Sequence, residues 1–348
     1  MIATLALSLA LAVPGLSDAT ALRPLRLPMP PIKSFPVIAP PLVDAAAWMI
    51  WSEREGAELG SLDPDTPRPF ASITKLMTAI LTVESVGLSE EVTISPNAAA
   101  TPIGFVGQPE VLAGEVWLVY DLLSNILVQS GNDAAVALAE HVAGDSDTFV
   151  EAMNTKATEI GMTRTVFMTP NGLDVSGHVS TPRDLVTLGV YSLRFEDLKH
   201  LMRLKQVTWY PGDRVIEVTS SNRLLGLFPG YAGLKTGDTA AAGQVLLSYA
   251  DTGPSGLIAV VLGSAGRRVA TRELLAWGLT ALGPRDHFYS AAAGTDIARA
   301  FPQWYQTRMT APRPLDPGPR HASEPTPLTE ALADAYQDLL PSILGGSE

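Results

Sequence analysis

Cysteine is absent from all 348 residues. That excludes disulfides, thiolate nucleophiles, iron–sulfur clusters and cysteine-ligated zinc together. Histidine is scarce: His141, His178, His200, His287 and His321 are the five. No pair of them has the HExxH or another tight ligand spacing, so neither a metal nor another cofactor is expected. Basic runs are missing too. With 24 Lys and Arg against 36 Asp and Glu, the net charge is -12, which argues against a nucleic-acid partner and against attraction to anionic lipid. No segment is long and apolar enough to span a bilayer, and no internal repeat is visible.

The composition, 46% hydrophobic and 17% charged, is that of a globular chain able to bury one large core, or one core plus a small satellite. Residues 1–21 read as a secretory signal: an apolar run from Ile2 to Leu16, then Ala19-Thr20-Ala21 as a small-x-small cleavage site. Export to the periplasm or cell envelope is therefore expected. Residues 22–42 are proline-rich and read as an extended linker. Residues 43–282 read as the catalytic domain and 283–310 as a short extension. Residues 311–327 form a second proline-rich linker. Residues 328–348 read as an acidic amphipathic helix without Lys or Arg, unlike a basic interfacial anchor, so membrane attachment has little support.

Within 43–282 the hydrophobic period assigns the elements. Ala45–Ser52 and Ala57–Leu62 read as paired strands. Ser72–Val86 reads as the clearest helix, with Ile73, Leu76, Met77, Ile80 and Val83 at helical spacing and Gly87 as its cap. Asp121–Val128, Asp133–Val142 and the stretch around Phe149–Ile160 read as further helices. Val215–Thr219, Ala232–Thr236, Gln244–Ala250 and Leu257–Leu262 then read as strands, and Arg267–Leu282 as a helix. The expected fold class is α/β in the layered α+β sense, its sheet mostly antiparallel and built from both chain ends.

Three short motifs carry chemistry. Ser72-Ile73-Thr74-Lys75 sets a hydroxyl and an amine on one helix face. A lysine whose pKa is depressed can act there as the base, and a helix N-terminus favours a developing oxyanion. Ser130-Gly131-Asn132 lies between two helices, where a second hydroxyl can relay a proton and an amide can bind a carbonyl. Lys235-Thr236-Gly237 ends a strand with a cation, a hydroxyl and room for close backbone approach. Taken alone, each also fits ordinary structure: an N-cap, a polar turn, a strand end. Ser95-Pro96-Asn97 and Ser220-Ser221-Asn222 match the second motif equally well, and a histidine base for Ser72 stays open.

The order of the three motifs is that of the active-site-serine penicillin-recognising enzymes. Further stretches strengthen the likeness: Phe70–Ala79, Asp121–Leu123 leading to Ser130–Ala135, Phe149–Asn154, Thr169–Leu173, Asn222–Gly226 and Leu274–Gly278. Over roughly residues 43–282 the chain resembles the low-molecular-mass penicillin-binding proteins, the serine-type D-alanyl-D-alanine carboxypeptidases. The resemblance selects Ser130 over the other two serines. It implies a penicillin-binding-protein/β-lactamase-like transpeptidase fold, with a mostly antiparallel sheet flanked by helices and a helical subdomain. It also implies Ser72 as nucleophile, Lys75 as base and Ser130 as proton relay. Asn132, Lys235, Thr236 and Gly237 would bind substrate, with the backbone N–H of Ser72 and Asp238 as oxyanion donors. The implied partners are peptidoglycan stem peptides, with β-lactams as covalent inhibitors. Asp238 departs from the pattern, since family members usually carry an aromatic residue or histidine there, and a carboxylate beside an anion site repels. A β-lactamase is less favoured, because Arg164–Asp174 holds no glutamate to activate water. A D,D-endopeptidase and a non-catalytic peptidoglycan- or β-lactam-binding module are the remaining alternatives.

Overall fold

The computed structural model describes residues 39–105, 107–228, 230–251 and 256–282. The predicted signal, residues 22–38 of the proline-rich stretch, and everything after residue 282 lie outside the described residues.

The chain opens with the hairpin β1 (Ala47–Ser52) and β2 (Ala57–Leu62). A 3-10 turn, Ala71–Thr74, leads into α1 (Lys75–Ser85). Then follow β3 (Glu91–Thr93), α2 (Pro96–Ala99), β4 (Val116–Leu118), α3 (Val119–Ser124), α4 (Asn132–Ala143) and α5 (Ser146–Ile160). The chain continues through α6 (Pro182–Ser192), α7 (Glu196–Met202), β5 (Gln206–Trp209) and β6 (Ile216–Thr219). It closes with β7 (Tyr231–Thr239), β8 (Gly243–Ala250), β9 (Leu257–Ser264) and α8 (Arg267–Ala281).

Five strands form the main sheet in the order β2-β1-β9-β8-β7, every neighbour antiparallel. Early and late strands meet at β1 and β9, as the sequence predicts. β1, β8 and β9 read as nearly continuous apolar runs because both faces of the sheet are covered. On one face Trp48, Ile50, Leu246, Leu257, Ala259 and Val261 pack against Leu274 and Leu275 of α8. On the other, Leu247 and Ile258 meet α6 around Gly189. Residues one apart in a strand point to opposite faces, so one sheet serves two helical layers. A second body of helices, α1 packed on α4 and α4 on α5, stands beside the sheet. The short β3–β4 and β5–β6 pairs are accessory.

Local chemistry sets the ends of several helices. Asp145 caps α5 by accepting from the Thr148 N–H, and Gly161 ends it at a left-handed φ of 89°. Thr181 caps α6 with Pro182 at its first position. The predicted helix from Ser72 needs correction. The first turn is 3-10, α1 begins only at Lys75, and the helix closes at Val86 rather than Gly87. Asp121–Val128 is also not one α-helix. It lies within α3 and a π-turn, Asn125–Gln129, whose extra residue re-aims the chain before Ser130.

Candidate active site

Ser72 sits on the 3-10 turn between Ala71, whose φ is +48°, and α1. Lys75, one turn on, is completely buried. Its Nζ lies 2.9 Å from Ser72 Oγ, 2.8 Å from Asn132 Oδ1 and 2.5 Å from the Asn171 carbonyl. The last two groups only accept. A neutral amine therefore spends both N–H bonds on them and turns its lone pair to the serine hydroxyl. Burial pulls the Lys75 pKa down to about 7, with the Asp133 carboxylate opposing the shift. An amine so placed can take the hydroxyl proton near neutral pH.

Asn132 is the first residue of α4, and its Nδ2 donates to the Pro102 carbonyl at 2.9 Å. Its neighbour Asp133, buried, accepts from the N–H groups of Val111 and Ala134. Together they pin the loop before β4 against the Ser130 turn. Ser130 is left-handed, φ 68° and ψ 34°, with its N–H bonded to the Asn125 carbonyl at 2.9 Å. Its hydroxyl meets Lys235 Nζ at 2.9 Å, so it enters the cleft through the second lysine rather than through Lys75.

Lys235 is also fully buried and donates to the Thr236 carbonyl at 2.8 Å. Burial, together with repulsion from Lys75 and Arg267, pushes its pKa well below the ordinary lysine value. Along β7, Lys235 meets Ser130 and Gly237 meets the Ser72 nitrogen. A Cβ at Gly237 would lie 2.9 Å from the Ser72 nitrogen and 3.0 Å from the Ala71 methyl, so only glycine lets strand and turn come this close. Thr236 Oγ1 and Ser221 Oγ are 3.0 Å apart. They line a cavity of about 220 Å³ with Gln244, Arg267 and Arg268.

Asp238 is 58% exposed at its side chain, and its Oδ2 lies 3.5 Å from Arg267 Nη1. The same Arg267 nitrogen donates to the Gly237 carbonyl at 2.6 Å. Burial lowers the Arg267 pKa, and Asp238 counters it. The carboxylate that looked like an uncompensated repulsion is thus half of an ion pair.

Sequence reasoning missed two participants. Arg267 gave no signal beyond its place at a helix start. The Asn171 carbonyl lay inside the Thr169–Leu173 match, but only the fold aims it at Lys75. His178 is not a base for Ser72; it stacks on Phe70 at 4.5 Å between ring centroids. Of the alternative serines, Ser95 caps α2 and Ser220 accepts from the Asn222 N–H at 3.1 Å, while Ser221 beside it borders the cavity at Thr236. Among the non-glycine residues described, four have positive φ: Asp63, Ala71, Ser130 and Leu234. Three of these are Ser130 itself or directly precede Ser72 and Lys235, which concentrates backbone strain at the cleft.

A buried lysine bonded to a partly buried serine, a second serine on a left-handed turn and a lysine on an edge strand, set between an antiparallel sheet and a helical body, define the penicillin-binding-protein class of fold. The sequence profile of the D-alanyl-D-alanine carboxypeptidases, peptidase family S11, matches residues 36–266. The chain belongs to this family. It is 33% identical over 254 residues to the D-alanyl-D-alanine carboxypeptidase DacC of Escherichia coli strain K12, covering 68% of this chain and 62% of that one. The first curated relatives it matches are spanned over 62% to 67% of their own lengths. Crystal structures agree. Penicillin-binding protein 6B of E. coli has a TM-score of 0.64 at 33% identity, covering 71% of this chain and 81% of that one. The cefotaxime-bound penicillin-binding protein D2 of Listeria monocytogenes has a TM-score of 0.62 at 30% identity, covering 70% and all of that chain.

Proposed function

We propose that the chain is an exported serine D-alanyl-D-alanine carboxypeptidase that removes the terminal D-alanine of peptidoglycan stem pentapeptides, and that penicillins acylate it at Ser72. The observation that carries this reading is the buried Lys75 amine, 2.9 Å from Ser72 Oγ with its pKa drawn down to about 7.

Ser72 Oγ attacks the carbonyl carbon between the two D-alanines while its proton passes to Lys75 Nζ. The oxyanion faces the N–H groups of Ser72 and Asp238, a reading supported by the close approach of Gly237 to the Ser72 nitrogen; removing one such donor typically costs about 10²–10³ in rate. As the C–N bond breaks, Ser130 gives its proton to the departing amine and takes in return the proton held by Lys75, which is then neutral again. Water then cleaves the Ser72 ester, with Lys75 accepting its proton, and the serine hydroxyl is restored.

Lys235, Thr236 and Arg267 receive the free carboxylate, and Asn132 orients the peptide. An incoming carboxylate favours the charged form of Lys235, offsetting the burial that discharges it when the cleft holds no anion.

The test is D-alanine release from a stem pentapeptide by protein lacking residues 1–21, with intact-mass detection of a penicillin adduct. The expected result is turnover and an adduct, both lost in Ser72→Ala. Cleavage of cross-links alone would instead indicate an endopeptidase. Rapid turnover of penicillin would indicate a β-lactamase, and an adduct without peptide cleavage a binding module.

A further inference from the structure

His178 is a buried histidine that the proposed chemistry does not use, and its hydrogen bonds lead to the nucleophile. The Met168 N–H donates to its Nδ1 at 2.9 Å, so the ring proton of the neutral form resides on Nε2. Nε2 lies 2.7 Å from Thr74 Oγ1 and donates to it. The Thr74 hydroxyl in turn donates to the Ala71 carbonyl at 2.7 Å. Phe70 stacks on the ring and Phe167 meets it edge-on, which fixes its plane. Burial draws the His178 pKa down to about 4; the Lys75 charge lowers it further, while the Asp174 carboxylate raises it.

The Ala71 carbonyl and the Ser72 N–H belong to one planar peptide unit and point in opposite directions. Holding the carbonyl therefore aims the N–H. Ala71 needs holding, because its φ of +48° is unfavourable for an alanine. Gly172 closes the other side: a Cβ there would lie 2.2 Å from the Ala71 oxygen and 2.7 Å from Thr74 Oγ1.

We propose that His178 and Thr74 are positioning residues that orient the Ala71–Ser72 peptide so that the Ser72 N–H serves as an oxyanion donor. The relay from ring N–H through hydroxyl to carbonyl polarises that peptide and strengthens its N–H as a donor. This rests on the proposed role of Ser72. Such a donor acts on the transition state and not on initial binding.

Penicillin acylation by Thr74→Val and Thr74→Ser separates this from a structural role. Valine should lower the acylation rate constant about tenfold to a hundredfold, part of what a whole oxyanion donor contributes, with the initial dissociation constant within about twofold of wild type. Serine, which keeps the hydroxyl, should recover the rate to within about threefold. An unchanged rate in the valine variant, or equal losses in both, would overturn the proposal. A second readout needs no activity: ¹⁵N NMR of the full chain should show His178 as the Nε2–H form from pH 5.5 to 8. The Ser72 amide resonance should move in Thr74→Val and return in Thr74→Ser. A ring that charges in that range, an Nδ1–H form, or an unmoved amide would refute the relay. If wild type forms no adduct on Ser72, the proposed function fails, and the NMR result still decides the relay.

Discussion

The two walls of the cleft are built from different physics. On the Ser72 wall the lysine amine is dry, two of its three neighbours are protein acceptors and the third is the serine hydroxyl, and a nearby histidine is neutral. On the β7 wall Arg267 and Asp238 set charge against charge, with Asp238 more than half exposed. The first wall depends on hydrogen-bond geometry in a low dielectric, where one misplaced group is costly. The second depends on Coulomb terms that solvent and salt weaken. Proton transfer needs the former, and capture of an anionic peptide end needs only the latter.

The contrast is broken most severely at Lys75. Replacing it with Met keeps the buried volume and removes the base, and acylation by penicillin should fall about 10²–10⁴-fold in stopped-flow assays. A smaller loss would mean that Ser72 has another base. pH gives the next largest effect. The base works neutral, and its pKa lies at about 7. The acylation rate should therefore level off above neutrality and fall as pH drops below 7, approaching tenfold per unit. A flat profile between pH 5.5 and 8 would remove Lys75 from that role. The smallest effect belongs to the other wall. Asp238→Asn frees Arg267 for a substrate carboxylate, and an exposed pair is worth only about 0.2–1 kcal/mol, so kcat/KM should rise roughly 1.5- to 5-fold. The gain should shrink in 0.5 M salt; a gain that persists there would indicate direct contact rather than charge.

Much of the frame was legible because it follows repeating patterns. The β2 strand falls on the predicted residues, β8 and α8 begin or end within a residue of prediction, and both chain ends enter one sheet. Helix α6 was passed over, although Thr181, Pro182 and Asp184 supply cap, first-turn proline and acidic first turn. Its face against the sheet dilutes the polar alternation that marks a surface helix. Strands β3 and β4, three residues each, are too short to show a period.

The cleft was legible as a set of residues but not as a geometry. Ser72 read as the start of an ordinary helix, because a left-handed Ala71 leaves no mark in the sequence. The same holds for Leu234 before Lys235. Arg267 reaches Asp238 and the Gly237 carbonyl only because α8 starts beside the C-terminal end of β7. No spacing rule encodes that meeting.

Ala71 carries one more consequence, which concerns handedness. A φ of +48° is strained for an L-residue and relaxed for its mirror image. The turn ahead of Ser72 therefore holds an L-alanine in the backbone region that a D-alanine would adopt at rest. Glycine would be at ease there too, but without the methyl that lies against Gly237. The L configuration is retained where it costs backbone energy and supplies that contact.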